Sequence, residues 1–344
     1  MANMNVKTPR FYVDTINYLL SRGVAQNGEF DVLATDAGAY KMGTFTTGSE
    51  PELFDMNPLN KVTFDTSADT DAHVMVTIDT QSTSSKKNFV AILNHNMNSA
   101  DAKVLIKGSD TAGHVAAVDM GSATVMGNPA EVVNADAISS SIVTPGTDGS
   151  TIVTFDESSL RYWGIQFEGN SSNTFGSTDL FVGCILIGEY FDAPHAPDLE
   201  IQRQIIFDGV DVLESAGGKR FANMRHSGRT HTATSKSPFS LGYPGQEGYG
   251  GRLAYDVNFS FLASSEVMPN RYESLVHTDD TVVSDVWNKT NGPHIPFIFS
   301  CDNTSTGSNA ESEHIFARFA QNSLNMSQVA NDYWNVSMRI EEEF

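Results

Sequence analysis

The segment Trp163-Gly164-Ile165-Gln166-Phe167-Glu168 alternates large apolar side chains with small or polar ones. Successive side chains of a β-strand point to opposite faces, so this period of two predicts a strand with one face in a core and the other in water. The segment Val74-Met75-Val76-Thr77-Ile78-Asp79 has the same period. Both segments favour an all-β fold.

Strand-like runs continue along the chain in both directions from these two segments. One of them, Phe89-Val90-Ala91-Ile92-Leu93, is apolar on both faces, which is typical of a central strand that is covered on both sides. The number and spacing of the runs fit one sandwich. Strands are predicted at Phe30–Leu33, Val62–Asp65, Val74–Asp79, Phe89–Asn94, Val104–Lys107, Ile152–Phe155, Tyr162–Phe167 and Leu180–Phe191.

The length of 344 residues favours two domains, each large enough to bury its own core. The prolines of Phe191–Pro197 disfavour both helix and central strand, so the first domain is predicted to end there. Near the N-terminus, Phe11–Val13 and a short helix capped by Asp14 predict a small clamp. The predicted division is an N-terminal arm at 1–25, a jelly-roll sandwich at 26–193 and a second β-rich assembly domain at 194–344.

The second domain has fewer strand signals than the first. The dipeptide Asp208-Gly209 predicts a hairpin turn that pairs Leu199–Phe207 with Val210–Leu213. Within Tyr255–Leu262, the alternation predicts Val257, Phe259 and Phe261 on one side of a strand. Further strands are predicted at Pro296–Cys301 and Trp334–Ile340. Glu311–Ala320 fits a strand or a short helix, and a strand is preferred. A helix is predicted near Asp279–Lys289, and a hairpin in the first domain around Ala116–Val125.

Acidic residues outnumber basic ones by 42 to 21, which gives a formal net charge of -21. A surface of this sign repels nucleic acid, which argues against sequence-specific DNA or RNA binding. The same charge would suit a protein that lines a conduit for DNA, and it is also common in proteins from saline habitats.

Cys184 and Cys301 lie in apolar strand-like runs on opposite sides of the predicted domain boundary, which favours small buried side chains over a disulfide or a zinc site. Residues 1–10 lack the apolar core of a signal peptide, and no run approaches the roughly 20 apolar residues that cross a bilayer. We therefore expect synthesis in a host cytoplasm and no membrane insertion.

Two pairs of segments in the first domain resemble discoidin-like jelly rolls of the galactose-binding type that occur in phage tail proteins. Asn88–Asn96 with Ala102–Ser109 resembles the third and fourth strands of that fold. Arg161–Glu168 with Leu180–Glu189 resembles its last strands.

The second domain resembles phage distal-tail and minor-tail proteins in the segments Phe207–Val212, Pro296–Phe299 and Val336–Glu343. That family forms homomeric rings at the end of a tail tube. The resemblance implies a virion subunit whose partners are copies of itself and other tail proteins. Ring proteins of this family usually place the ring domain first, whereas here the jelly roll comes first.

The turn Asn94-His95-Asn96 offers amide and imidazole groups at a strand end, where jelly rolls of this type present their ligand-binding loops. Sugars are bound by such groups together with an aromatic platform, so these three residues are the predicted ligand-binding site, with a host-surface glycan as the ligand. The alternative is that the two Asn side chains close the turn through the backbone.

No motif predicts catalysis, a cofactor or a metal site. The acidic loop Asp65–Asp71 does not have the spacing of a helix-loop-helix calcium site, and it fits a solvated turn better. His226 and His231 have a poor spacing for zinc, and Gly217–Arg220 predicts a turn because it lacks the pattern of a phosphate loop. A glycoside hydrolase stays open as an alternative, since its two carboxylates have no fixed spacing.

The stretch Ser215–Gln246 contains no Asp or Glu, although the chain as a whole is acidic. Arg side chains pair well with carboxylates, so the stretch predicts an interface with another copy of the chain. A solvated loop is the alternative. The predicted interface residues are Lys219, Arg220, Arg225, Arg229 and Lys236.

These patterns together predict a structural subunit of a phage tail tip that is not an enzyme and that acts by homo-oligomeric assembly. A glycan-binding host-attachment protein is the alternative function. A polysaccharide-degrading enzyme is a further one.

Overall fold

The computed structural model shows a protein that is nearly all β, as the sequence predicts. The residues that it describes are 7–23, 30–33, 45–67, 74–80, 85–111, 124–135, 137–170, 174–206, 210–224, 238–240, 252–270, 280–307 and 310–343.

The strands up to residue 192 are β1 (Arg10–Asp14), β2 (Phe30–Leu33), β3 (Phe45–Thr47), β4 (Val62–Phe64), β5 (Val74–Asp79), β6 (Lys87–His95), β7 (Ala102–Ser109), β8 (Thr124–Val125), β9 (Ala130–Val133), β10 (Ala137–Ser139), β11 (Ile142–Thr144), β12 (Gly149–Ser158), β13 (Tyr162–Gly169), β14 (Leu180–Val182) and β15 (Cys184–Asp192). The later strands are β16 (Gln202–Ile206), β17 (Val210–Glu214), β18 (Arg220–Met224), β19 (Arg252–Ala263), β20 (Phe297–Ser300), β21 (His314–Phe319), β22 (Asn325–Ala330) and β23 (Tyr333–Glu342). Helical segments are short: α1 (Thr15–Ser21), α2 (Ser264–Val267), 3-10 turns at Glu50–Phe54, Pro238–Ser240 and Ala310–Ser312, and a π-helical segment at Val282–Trp287.

The largest sheet runs through both predicted domains. Its order is β16-β19-β23-β21-β20-β1-β15-β6-β12-β9, with β22 beside β23. Strand β1 lies between β15 and β20, so that Phe11 pairs with Phe191 on one side and Phe299 on the other. The N-terminal segment therefore clamps the two halves into one sheet. Independent folding of residues 1–192 and 196–344, which the prolines of Phe191–Pro197 predict, stays a prediction.

The helix predicted after the first strand is confirmed, and Asp14 caps it. Oδ2 of Asp14 accepts from the Asn17 N–H at 2.7 Å, while Oδ1 accepts from the Ile187 N–H at 3.2 Å. Burial raises the pKa of Asp14 to about 6, because desolvation outweighs these hydrogen bonds. The cap thus also fixes α1 against β15.

The predicted sandwich core is confirmed. A second sheet, β10-β11-β7-β13-β5-β2 with β8 beside β7, packs against one face of β15-β6-β12. Trp163, Ile165 and Phe167 are fully buried there, opposite Val90 and Ile92. A smaller sheet of β14, β4 and β3 closes one side of this core.

Strand β6 is covered on both faces, as its sequence predicts. Its odd-numbered residues Phe89, Ala91 and Leu93 face away from the sandwich core. They pack in a second cluster with Phe239 and Ile298, which come from the later part of the chain.

The prediction of a wet face is wrong for both β13 and β5, because Gln166 and Glu168 in β13 and Met75 and Thr77 in β5 are also buried. Gln166 lies on the central strand of this sheet, directly between Met75 of β5 and Leu105 of β7. Glu168 pairs with Lys103 at 3.5 Å along the same face.

Leu180–Phe191 was predicted as one strand, and the structure divides it at Gly183. The Gly183 N–H donates to the carbonyls of Leu93 and Asn94 at 3.1 and 3.0 Å. A Cβ at this position would lie 2.1 Å from the Pro58 carbonyl oxygen. Only glycine lets the two backbones approach this closely.

A third core lies on the second half of the large sheet, between β19, β20, β21, β23 and the segment that contains the π-helical turn. The predicted placement of Phe261 beside Val257 and Phe259 in β19 is wrong. Phe261 is 63% exposed, whereas Leu262 is buried in its place. The ladder with β23 shifts register between Phe259 and Leu262, so a bulge reverses the faces.

The predicted pairing of Leu199–Phe207 with Val210–Leu213 is also wrong. Strand β16 pairs with β19 in the large sheet, and β17 pairs with β18 around a turn at Ser215–Lys219. Strand β18 falls in a stretch that the sequence analysis treated as loop. The strand preferred for Glu311–Ala320 is confirmed by β21, and the helix near Asp279–Lys289 by the π-helical segment. Most of the predicted hairpin at Ala116–Val125 lies outside the described residues.

Candidate functional site

Asn94 and Asn96 close the end of β6 through their side chains, and both are buried. Nδ2 of Asn94 donates to the Pro58 carbonyl at 2.7 Å. Nδ2 of Asn96 donates to the Asp179 carbonyl at 2.8 Å, while its Oδ1 accepts from the Phe181 N–H at 2.7 Å. These bonds tie two neighbouring loops to the strand end.

His95 is buried between these two residues. Its Nδ1 accepts from the Met97 N–H at 3.2 Å, so the proton is on Nε2, which lies 2.8 Å from the Thr151 hydroxyl. That hydroxyl donates in turn to the Asn134 carbonyl at 3.1 Å. Burial lowers the pKa of His95 to about 3, so the ring is neutral at neutral pH.

The three predicted ligand residues are thus buried and hydrogen-bonded within the chain. This geometry favours the alternative in which Asn94 and Asn96 close a turn. Glycan binding by Asn94, His95 and Asn96 stays a prediction.

Within the described ranges, no three His, Cys, Asp or Glu side chains lie close enough together to hold a metal ion. Of the acidic loop Asp65–Asp71, the described part ends at Ser67, and His226 and His231 lie outside the described residues. No helix in the described part of the chain has the length and apolar character needed to cross a bilayer.

Lys87 is a buried amine that the sequence analysis did not single out. Burial lowers the pKa of Lys87 to about 7. Nζ donates to the carbonyl and the hydroxyl of Ser85 at 2.8 and 2.9 Å, and to the Leu160 carbonyl at 3.2 Å. Because these three bonds use its hydrogens, the amine fixes the start of β6 against the loop before β13.

Lys289 joins the sandwich to the core of the second half. Nζ lies 2.7 Å from Glu189 Oε2 on β15 and 2.7 Å from Asp285 Oδ1 in the π-helical segment. Burial opposes the charge on Lys289, yet the two carboxylates hold its pKa above the usual value. The cluster is an ionic link between the two cores. Glu189 and Asp285 are far apart in sequence, so no local sequence pattern predicts that they share Lys289.

Strands β17 and β18 form a separate two-stranded hairpin, which we call the arm (residues 210–224). Residues 217–219 of the predicted turn Gly217–Arg220 lie in the turn of the arm, with Gly218 at a positive φ of 79°, and Arg220 begins β18. Leu213 and Phe221 are cross-strand partners, and they are 70% and 52% exposed. The arm therefore presents an apolar pair to its surroundings.

Two of the predicted interface residues, Lys219 and Arg220, lie on the arm. Nζ of Lys219 is 5.2 Å from the centroid of the Phe221 ring. Nε of Arg220 is 3.1 Å from Glu214 Oε2, and the side chains of Arg220 and Glu214 are both exposed. Arg225, Arg229 and Lys236 lie outside the described residues. The interface stays a prediction.

Exposed large apolar side chains are concentrated in two places in the described structure. Five of the ten lie between residues 199 and 221, one before β16, one in β16 and three on the arm: Leu199, Ile205, Val212, Leu213 and Phe221. Four others lie where β19 ends and the β22–β23 hairpin turns: Phe261, Met268, Val329 and Tyr333. Val125 is the remaining one. The sequence alone does not predict which of these apolar side chains are exposed, because the same residue types are buried elsewhere in the chain.

No protein-family model and no curated protein matches the chain. Among solved structures, chitosan-binding module 1 derived from a chitosanase/glucanase of Paenibacillus sp. IK-5 is 14% identical, and the match covers 48% of this chain and 98% of the module with a TM-score of 0.30. A selenomethionine-labelled point mutant of that module is 13% identical and covers 51% of this chain and 98% of its own, with a TM-score of 0.29. Similarity at this level says nothing about what this chain binds.

Proposed function

We propose that this chain is a structural subunit of a bacteriophage virion, located at the tail tip, which acts by homo-oligomeric assembly and catalyses no reaction. Its partners are copies of itself and other tail proteins. The observation that carries assembly is the arm, whose apolar pair Leu213 and Phe221 is exposed in a single copy. The resemblance of both halves to phage tail proteins supports the place in the virion.

In the described part of the chain, the strands of the arm join no larger sheet. Among the described residues, β17 and β18 pair only with each other, and an isolated two-stranded hairpin is marginally stable in water. Burying a Leu or Phe side chain completely contributes roughly 1.5–3 kcal/mol. Contact with another copy would therefore stabilise the arm as well as the assembly.

Charge favours another copy as the partner. The arm turn begins the acid-free stretch Ser215–Gln246, whereas the whole chain carries a net charge of -21. Attraction between this acid-free stretch and the acidic remainder of another copy would offset the repulsion between two acidic copies. The arm itself is neutral, with Asp211 and Glu214 against Lys219 and Arg220.

Assembly is tested by mass photometry and sedimentation of the purified chain over a range of concentrations. We expect oligomers for the parent and a shift to monomer for the double variant Leu213→Ser/Phe221→Ser. The matched control is Val125→Ser, which removes an exposed apolar side chain elsewhere and should assemble as the parent does. A parent chain that stays monomeric at high concentration would overturn the proposal.

The place in the virion needs a separate experiment. Antibodies against the chain, imaged on purified phage particles by electron microscopy, should label the end of the tail. Particles that lack the chain, or label confined to the head, would contradict the tail-tip assignment.

A further inference from the structure

We infer that Lys289 and Asp285 join in an intramolecular amide (isopeptide) bond, with Glu189 as the group that carries the protons. Until the bond forms, these three side chains are the ionic link between the two cores. Nζ of Lys289 lies 2.7 Å from Asp285 Oδ1 and 2.7 Å from Glu189 Oε2. An amine that contacts two carboxylates at once has an acyl carbon and a general base within reach.

The three side chains are largely shielded from water. Their exposed fractions are 14% for Lys289, 12% for Glu189 and 5% for Asp285. In water, an amine and a carboxylic acid stay apart as ions, because water solvates both charges. Burial removes that solvation, so a neutral amide avoids the cost of two buried charges.

The two carboxylate oxygens of Asp285 have different partners. Oδ2 accepts from the Thr281 N–H at 2.8 Å and from the Ser284 hydroxyl at 3.0 Å. Oδ1 accepts from Nζ of Lys289 at 2.7 Å. Two donors on one oxygen stabilise the negative charge that develops there when an amine adds to the carbon. Oδ2 is therefore the oxygen that stays in the amide, and Oδ1 is the oxygen that leaves.

Glu189 is placed to move protons from the amine. The two carboxylates hold the pKa of Lys289 above its usual value, so the amine starts as an ammonium group and needs a base before it can attack. Oε2 of Glu189 is in contact with that group. Burial raises the pKa of Glu189, so its carboxyl holds a transferred proton more readily than an exposed carboxyl does.

The reaction balances without another reactant. Glu189 takes one proton from Nζ and passes it to Oδ1 of Asp285. The freed lone pair of Nζ attacks Cγ, and an N–C bond forms. A second proton follows the same route from Nζ to Oδ1, the Cγ–Oδ1 bond breaks, and Oδ1 leaves as water. One ammonium and one carboxylate become one amide and one water, and Glu189 returns to its initial state.

The bond closes a ring between the π-helical segment at Val282–Trp287 and the residue just after it. It fixes Asp285 and Lys289 in one turn. The single hydrogen left on Nζ remains available to Glu189 of β15, so the contact between the two cores is retained.

Mass spectrometry of the purified full-length chain tests the bond. The intact mass should be lower than the mass of the sequence by one water. Trypsin cleaves after a free lysine, so the bond should leave the peptide 272–318 uncleaved at Lys289, and its fragments should place the water loss between Asp285 and Lys289. The internal control is the pair Lys86 and Glu157, which are 3.1 Å apart but partly exposed and should stay unlinked.

Variants separate the roles of the three groups. Asp285→Ala should keep the full mass. Glu189→Gln cannot carry a proton, so bond formation in freshly made chain should be slower by about 100-fold or more. Ser284→Ala removes one donor to Oδ2 and should slow the reaction by about 100-fold. The matched control is Glu157→Gln, which should react as the parent does. Circular dichroism checks that each variant is folded.

A parent chain that keeps its full mass after days in the folded state at neutral pH overturns the proposal. A water loss located elsewhere, for example at Asp208-Gly209, does the same. A digest in which 272–318 is joined to 162–203 means that Glu189 is the acyl group, which overturns the assigned roles. A folded Glu189→Gln chain that reacts at the parent rate overturns the proton transfer by Glu189.

Discussion

The strands β13 and β19 carry the same alternating pattern, yet they place their aromatic side chains differently. Along β13, Trp163 and Phe167 are both buried; along β19, Phe259 is buried and Phe261 is exposed. Strand β13 keeps an unbroken register with both neighbours, whereas β19 contains a bulge opposite β23. A period of two therefore predicts which side chains share a face only until an extra residue enters the ladder.

The two regions also differ in how they use polar groups. In the sandwich, His95 and Lys87 are buried and hydrogen-bonded, and they fix strand ends to loops. At the β19 end and on the arm, large apolar side chains face outward instead. The first region is complete within one chain, and the second has the character of an interface.

Trp163→Ala should show the largest effect. The change removes the largest fully buried side chain and its Nε1 hydrogen bond to the Leu160 carbonyl, at a cost of about 3 to 5 kcal/mol in the free energy of unfolding. Urea denaturation measures this, with Phe261→Ala as the exposed counterpart that should cost far less. If both variants lose the same free energy of unfolding, then Phe261 packs within the chain as Trp163 does, and the contrast between β13 and β19 is wrong.

Lys289→Met tests the ionic link between the two cores. Without the ammonium group, the buried Asp285 and the partly buried Glu189 lose their shared cation and repel each other, so the free energy of unfolding should fall by up to about 3 kcal/mol. The matched control is Lys86→Met, whose pair with Glu157 is partly exposed and contributes about 0 to 1 kcal/mol. A loss no greater than that of the control would show that the link is not needed.

His95→Gln tests the buried polar group through pH. The pKa of His95 is about 3 in the folded chain and 6.5 in the reference state, so between pH 6.5 and pH 4 the unfolded chain binds a proton that the folded chain does not. Stability should therefore fall as pH falls, by about 2 to 3 kcal/mol from this residue at pH 4. Asp14 and His314 also titrate in this range and are present in both proteins, so the difference between variant and parent isolates His95. Parallel stability curves would contradict its burial.

Much of the fold can be predicted from the sequence, because local patterns determine local structure. Val74–Asp79 is a strand with the predicted bounds, and Phe89–Leu93 is covered on both faces as its composition requires. The split at Gly183 could not be predicted, because it depends on the Pro58 carbonyl, which is distant in sequence. The pairing of β16 with β19 is equally non-local.

The sequence predicts an interface in Ser215–Gln246, a stretch that includes the turn and the second strand of the arm, and this interface stays a prediction. The absence of acids from Ser215–Gln246 pointed to the arm, since charge composition is visible in sequence. The exposure of Phe261 could not be predicted, because an aromatic residue within an alternating run indicates a core position. The difference arises from one bulge, which a single sequence does not reveal.

Phe261→Gly should have the smallest effect on the single chain, and its sign is diagnostic. The φ of Phe261 is 60°. A non-glycine residue in the left-handed region costs roughly 1 to 2 kcal/mol, and glycine loses about 0.5 to 1 kcal/mol more backbone entropy on folding. The exposed ring contributes little packing, so the monomer should become more stable by up to about 1 kcal/mol. Urea denaturation measures this in the Leu213→Ser/Phe221→Ser background, which should be monomeric.

The control is Phe259→Ala, two residues earlier in the same strand. Phe259 is buried, so this change should instead cost about 3 to 5 kcal/mol. A gain at Phe261 together with lost assembly would mean that the strained, exposed ring is retained for contact with another copy. A clear loss of monomer stability would mean that the ring packs within its own chain and that the bulge serves the fold.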